Sequence, residues 1–201
     1  MSGIIGSNTG RASGLIKAAG GGDYVKLATG AVSNTARTLI DGYFTATYDT
    51  YMYVLQGLGG QGGAVDFEIS LNRSGSEVTS AEYDVQMYRA WNGSSVGAAA
   101  PSGKAAPYRH LYLGNDADGT QIKQANNMIL WVFDPLLVGT TDRYSSWIWQ
   151  GTSAGGTSVG QYAWGGAGAL QDNVGSAISG IAIGGDANTC NCNKWTVYGL
   201  K

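Results

Sequence analysis

Ala64-Val65-Asp66-Phe67-Glu68-Ile69-Ser70-Leu71-Asn72 is the stretch on which the fold class turns. Val65, Phe67, Ile69 and Leu71 alternate with Asp66, Glu68, Ser70 and Asn72. Side chains on a strand point alternately to its two faces, so this period of two predicts a half-buried antiparallel strand, apolar on one side and polar on the other. Just upstream, Tyr51 to Leu58 is rich in Tyr and Val, and Gly59-Gly60-Gln61-Gly62-Gly63 suits a hairpin joining the two segments. Further strand candidates are Tyr24 to Ala28, Thr38 to Phe44, Tyr83 to Trp91, His110 to Leu113, Gln121 to Phe133, Tyr144 to Gly151, Val159 to Gly166, Ile178 to Gly184 and Lys194 to Leu200. Turn signals such as Asn92-Gly93, Asp118-Gly119, Asp134-Pro135 and Gly184-Gly185-Asp186 separate them. Many short strands with no helical period between them predict an all-β, jelly-roll-like antiparallel β-sandwich.

Composition agrees. The 201 residues fit one domain, or one domain with an arm. Twelve Tyr, six Trp and three Phe exclude a disordered chain, which is poor in aromatics. The 33 glycines follow no period of three, which excludes collagen. Glycine and β-branched residues crowd the sequence, so helix content should be small.

Residues 1–22 read differently from the sandwich expected over 23–201. Two apolar pairs, Ile4-Ile5 and Leu15-Ile16, stand apart in a Gly/Ser/Asn spacer with Arg11 and Lys17 as its only cations. This is the pattern of an extended N-terminal docking arm; a frayed terminus is the plain alternative. Burying the four apolar side chains at ~1.5–3 kcal/mol each gives roughly 6–12 kcal/mol. Ordering about twenty residues costs ~1–2 kcal/mol each for the backbone alone. An arm of this kind therefore also needs main-chain hydrogen bonds, most simply by adding a strand to a partner's sheet edge. Its partner-binding candidates are Ile4, Ile5, Arg11, Leu15, Ile16 and Lys17.

Charge narrows the partners. Twelve Lys plus Arg against fourteen Asp plus Glu leave a net charge of −2. There is no basic stripe for nucleic acid and no basic amphipathic helix for a membrane surface. No signal peptide is visible. The longest apolar stretch, Met128 to Phe133, stops at Asp134-Pro135, far short of a membrane span.

Chemistry-bearing motifs are few. Cys190 and Cys192 are too close in sequence for a disulfide that closes a long loop. They supply two of the four ligands of a structural zinc site, with His110 the single histidine. Free thiols are the simplest reading, with metal and redox roles as the others. Gly151-Thr152-Ser153-Ala154-Gly155 matches the Gly-x-Ser-x-Gly pattern of serine hydrolases, but the following residues read as strand rather than helix. Gly114-Asn115-Asp116-Ala117-Asp118-Gly119 resembles part of a calcium loop but lacks the acids at its ends; a turn between strands accounts for it. No carboxylate pair stands out for glycoside hydrolysis. Neither a catalytic residue, a metal site nor a cofactor is expected. Trp147 and Trp149, two apart, face one side of a strand. Burial in the core or a subunit interface is one reading; stacking on a glycan is the other.

Three segments carry a resemblance. The opening Met1-Ser2-Gly3-Ile4-Ile5-Gly6-Ser7-Asn8-Thr9-Gly10-Arg11-Ala12-Ser13-Gly14-Leu15-Ile16-Lys17 resembles the start of small virion accessory proteins of tailed phages of the marine and cyanobacterial type. Leu39-Ile40-Asp41-Gly42-Tyr43-Phe44 to Tyr48-Asp49-Thr50-Tyr51 is similar to an aromatic-rich pair of strands in that group, and Ile178-Ser179-Gly180-Ile181 to Trp195-Thr196-Val197-Tyr198-Gly199-Leu200-Lys201 to its C-terminal hairpin. Cys190-Asn191-Cys192-Asn193 departs from that hairpin, where Ser, Gly and Asn are usual.

The resemblance implies a non-enzymatic structural protein of the virion. The leading expectation is a capsid decoration or cement protein, homo-oligomeric and attached by its arm to the major capsid protein. The alternative is a tail-fibre or spike protein that recognises a host-surface glycan, with tail proteins as partners. A depolymerase enzyme is a third reading, for which no carboxylate pair is identified.

Overall fold

The computed structural model describes residues 24–61, 65–79, 83–91, 94–99, 108–113, 126–136, 145–154, 161–170, 177–186 and 189–200. The expected arm and the calcium-loop-like turn lie outside them. The strands are β1 (Val25–Thr35), β2 (Arg37–Asp41), β3 (Thr50–Gln61), β4 (Val65–Arg73), β5 (Ser76–Glu77), β6 (Tyr83–Trp91), β7 (Ser94–Ala99), β8 (Tyr108–Leu113), β9 (Asn127–Phe133), β10 (Ser145–Ala154), β11 (Gln161–Leu170), β12 (Gly180–Gly185) and β13 (Thr189–Leu200). The fold is all-β, with every pairing antiparallel.

The strands form two unequal layers. An eight-stranded sheet runs β1-β13-β3-β9-β10-β11-β6-β7. A five-stranded sheet runs β2-β12-β4-β5, with β8 also on β4. Their facing sides make one core. The large sheet contributes Tyr51, Tyr53, Leu55, Met128, Leu130, Val132, Trp147 and Trp149; the small sheet contributes Ile40, Phe67, Ile69, Leu71, Ile181 and Ile183. This is the antiparallel sandwich expected, with eight strands against five rather than the eight in all of a simple jelly roll.

Four local expectations need correction. Tyr51 to Leu58 and Val65 to Asn72 are not a hairpin. β3 pairs β13 and β9, whereas β4 pairs β12, β8 and β5 in the other layer. Both strands must turn an apolar face to the same core, and they do so from opposite sides; Gly59 and Gly60 belong to β3 itself. The C-terminal pair separates in the same way, β12 into the small sheet and β13 into the large one, and so does the aromatic-rich pair, β2 and β3. Nor is the polar side of β4 solvated: Asp66, Ser70 and Asn72 are buried. Asn72 Nδ2 donates to Ile181 O (2.7 Å), and Ser70 Oγ donates to Glu77. The Arg37 side chain lies across Gly184 to reach Glu68 (3.3 Å) and Glu77 (2.7 Å).

Glycines shape the large sheet's interior. Trp147 lies against Gly168 and Trp149 against Gly166, each its register neighbour on β11. An added Cβ at either glycine would overlap the indole. Tyr48 covers Gly199 and Trp195 covers Gly30 in the same way. Glycine in a strand marks close approach, and here the approaching group is an aromatic ring.

Candidate interaction face

The other side of the large sheet is the main functional candidate. Register gives its composition row by row. One row runs Lys26, Tyr198, Met52, Trp131, Ile148, Ala167, Gln86. The next runs Thr29, Thr196, Val54, Ile129, Gln150, Gly165, Tyr88. A third runs Leu200, Thr50, Phe133, Ser146, Ala169, Asp84. The strip on β3, β9 and β10 is therefore mostly apolar, with Thr50, Ser146 and Gln150 among it, and carries no charge in these rows; Lys26 and Asp84 sit towards the margins. Ile148 and Tyr88 are each 43% exposed, and Tyr24, edge-on to Tyr198 at 6.2 Å, is 52% exposed.

β9 explains the long apolar stretch. Met128, Leu130 and Val132 point into the core, so Ile129, Trp131 and Phe133 point outwards. A strand that is apolar on both sides is the pattern of a sheet covered on both faces. Among the described residues, no second layer lies over this side.

β11 gives the face its relief. Outwards, over residues 163–169, it carries Ala163, Gly165, Ala167 and Ala169, a trench between β10 and β6. The Tyr88 phenol lies over Gly165. On one side of it is a hollow of about 460 Å³ lined by Tyr88, Asn127, Ile129, Gln150, Thr152 and Ala163. On the other is a hollow of about 370 Å³ lined by Gln86, Tyr88, Ile148, Gln150, Gly166 and Ala167.

Residues singled out from the sequence fall elsewhere. Trp147 and Trp149 do share one face, and that face is the core: they are 3% and 1% exposed, and Tyr83 meets Trp147 edge-on at 5.8 Å. No sugar ring reaches them, so glycan stacking at these two positions is withdrawn. Ser153 lies within β10, fully buried, and its Oγ accepts the Trp164 Nε1–H (2.8 Å). It is therefore part of the core rather than a nucleophile on a strand-to-helix turn. Cys190 and Cys192 are buried free thiols. Burial pushes both up to about 11. Cys192 Sγ donates to Lys194 O (3.3 Å), and the Asn193 side chain sits against Gly57.

Carboxylates do gather on the outside of the small sheet. Glu68 and Glu77 share Arg37, and Asp186 lies near enough to act on Glu68. Burial raises the Glu68 carboxyl to about 7; Arg37 opposes the shift, while Asp186 and Glu77 add to it. Both Glu68 and Glu77 are held by the same guanidinium, an arrangement that anchors β2 over β4. Among the described residues, no group of three or more His, Cys, Asp or Glu is placed to hold a metal ion, and no helix is long and apolar enough to cross a membrane.

No protein-family model, curated protein or solved structure matches the chain.

Proposed function

We propose that this chain is a non-enzymatic structural protein of a phage particle, decorating or stabilising the capsid surface. Its working surface is the outer side of the eight-stranded sheet, and its leader, residues 1–22, attaches it to a neighbouring subunit. The observation that carries the reading is the uncharged strip of Met52, Val54, Ile129, Trp131, Phe133 and Ile148 on a face that no second layer covers among the described residues. Large contiguous apolar patches on soluble proteins mark sites of association. The resemblance of the opening segment to virion accessory proteins supplies the kind of assembly. Counting copies in purified particles tests it: a number matching the capsid's repeating lattice is expected, and absence from the particle overturns it.

A second reading, a tail-fibre or spike protein that binds a host glycan, is favoured by one observation. The larger hollow sets the Tyr88 ring beside the carboxamides of Asn127 and Gln150 and the Thr152 hydroxyl. Rings and planar amides are the groups that meet the C–H faces and hydroxyls of sugars. Copy number matching the tail's low symmetry, with glycan-array binding abolished by Tyr88→Ala, would favour it.

A further inference from the structure

We propose that the outer face of the eight-stranded sheet pairs with the same face of a second copy, about a two-fold axis along the sheet's midline between β9 and β10. The inference rests on reading that face as an interaction surface and goes beyond it by naming the occupant.

The relief of the face favours its own copy. Four strands lie on each side of the midline, β1, β13, β3 and β9 against β10, β11, β6 and β7. An in-plane two-fold there lays β3 of one copy over β11 of the other and β9 over β10. Met52 then stands above Ala167, where the trench and its hollow of about 370 Å³ leave room, and Val54 stands over the Tyr88 phenol that covers Gly165. The exposed Ile148 meets Trp131 of the second copy near the axis. Met52 thus faces Ala167 on both sides of the axis, the self-complementarity an isologous interface requires.

Charge and size agree. The strip next to the axis carries no charge in its three central rows, so a second copy brings no like charge against it. Lys26, Lys194 and Asp84 fall towards the rim, giving an apolar centre and a polar margin. Seven strands at ~4.8 Å spacing and four rows at ~6.8 Å give a face of roughly 900 Å². A standard interface takes ~800 Å² from each partner. Two sheets pack face to face at ~10 Å with their strands roughly aligned, which suits this geometry.

Sedimentation velocity of the full chain from about 1 to about 100 µM is the test, because a dimer of this kind depends on concentration. The wild-type chain should pass from monomer to dimer. Ile148→Asp, which sets two carboxylates close to the axis, and Ala167→Arg, which fills the trench, should each remain monomeric throughout. Leu39→Asp, at an exposed position (44%) on the small sheet, should dimerise like wild type. Circular dichroism checks that each variant is folded, and Ala167→Arg decides the matter should Ile148→Asp fail to fold. A monomeric wild-type chain over the whole range overturns the proposal, as do dimers that survive both substitutions. Loss of the dimer on deleting residues 1–20, with Ile148→Asp still dimeric, would assign the contact to the leader and overturn it too. The two readings fail separately. A monomer found in particles sinks the pairing alone, whereas a dimer absent from particles sinks the virion role alone.

Discussion

Gly168 and Gly165 stand three residues apart on β11 and face opposite sides of the sheet, and the rings they carry set opposite consequences for substitution. The ring over Gly168 is the Trp147 indole, locked in the core; the ring over Gly165 is the Tyr88 phenol, free to swing into solvent. Gly168→Ala should therefore cost on the order of 1–3 kcal/mol through overpacking, while Gly165→Ala should cost well under 1 kcal/mol, since only an exposed side chain has to move. Urea unfolding of the two variants reads the difference, and equal losses would refute this assignment of the rings. Glu68 makes a pH prediction. Its folded carboxyl holds a proton up to about 7, against 4.5 for the ordinary group. Between those values the folded chain binds more protons than the unfolded one. The contribution is thus complete below about 4.5, declines as pH rises through about 7, and is flat above. Melting temperatures between pH 5 and 8 should show that decline, and Glu68→Gln should flatten it. Cys190 and Cys192, raised to about 11 and buried, should resist a thiol reagent at about pH 8 until the protein unfolds.

The strands were legible where one face is apolar and the other polar. Tyr83–Trp91 and the alternating run of β4 read directly from period two. The partition of strands between layers did not, because a strand's period is the same in either sheet. The glycine run that begins within β3 marked a change of direction without saying whether the chain folds back in the same sheet or crosses to the other. The pairing of Trp147 and Trp149 on one face was legible; their glycine seats were not, since seat and ring come from different strands. β9 gave its signal as an unbroken apolar stretch, which fits a sheet covered on both faces but does not say what covers the second. With β3 and β10 hydrogen-bonded on either side, the β9 amides should exchange with solvent more slowly than those of β1, an edge strand interrupted by register shifts. Amide exchange by mass spectrometry checks the order.

For the molecule as a whole, the two sides of the large sheet have divided roles. One side joins the small sheet in a core of aromatic rings and aliphatic chains. The other presents Trp131, Ile148, Met52 and Tyr88 with nothing laid over them among the described residues. Deleting residues 1–20 should leave the sandwich folded, since among the described residues both sheets and the core between them are formed by strands from β1 onward. The same deletion should abolish attachment to particles, and truncated protein that still decorates them normally would refute the docking role of the leader. Imaging of phage particles purified from a host that produces this chain tests the whole account most directly. Density for the sandwich repeated over the capsid, with the outer side of its large sheet covered by another chain, is the result expected. Particles that lack the protein, or that hold it with this side open to solvent, would contradict it.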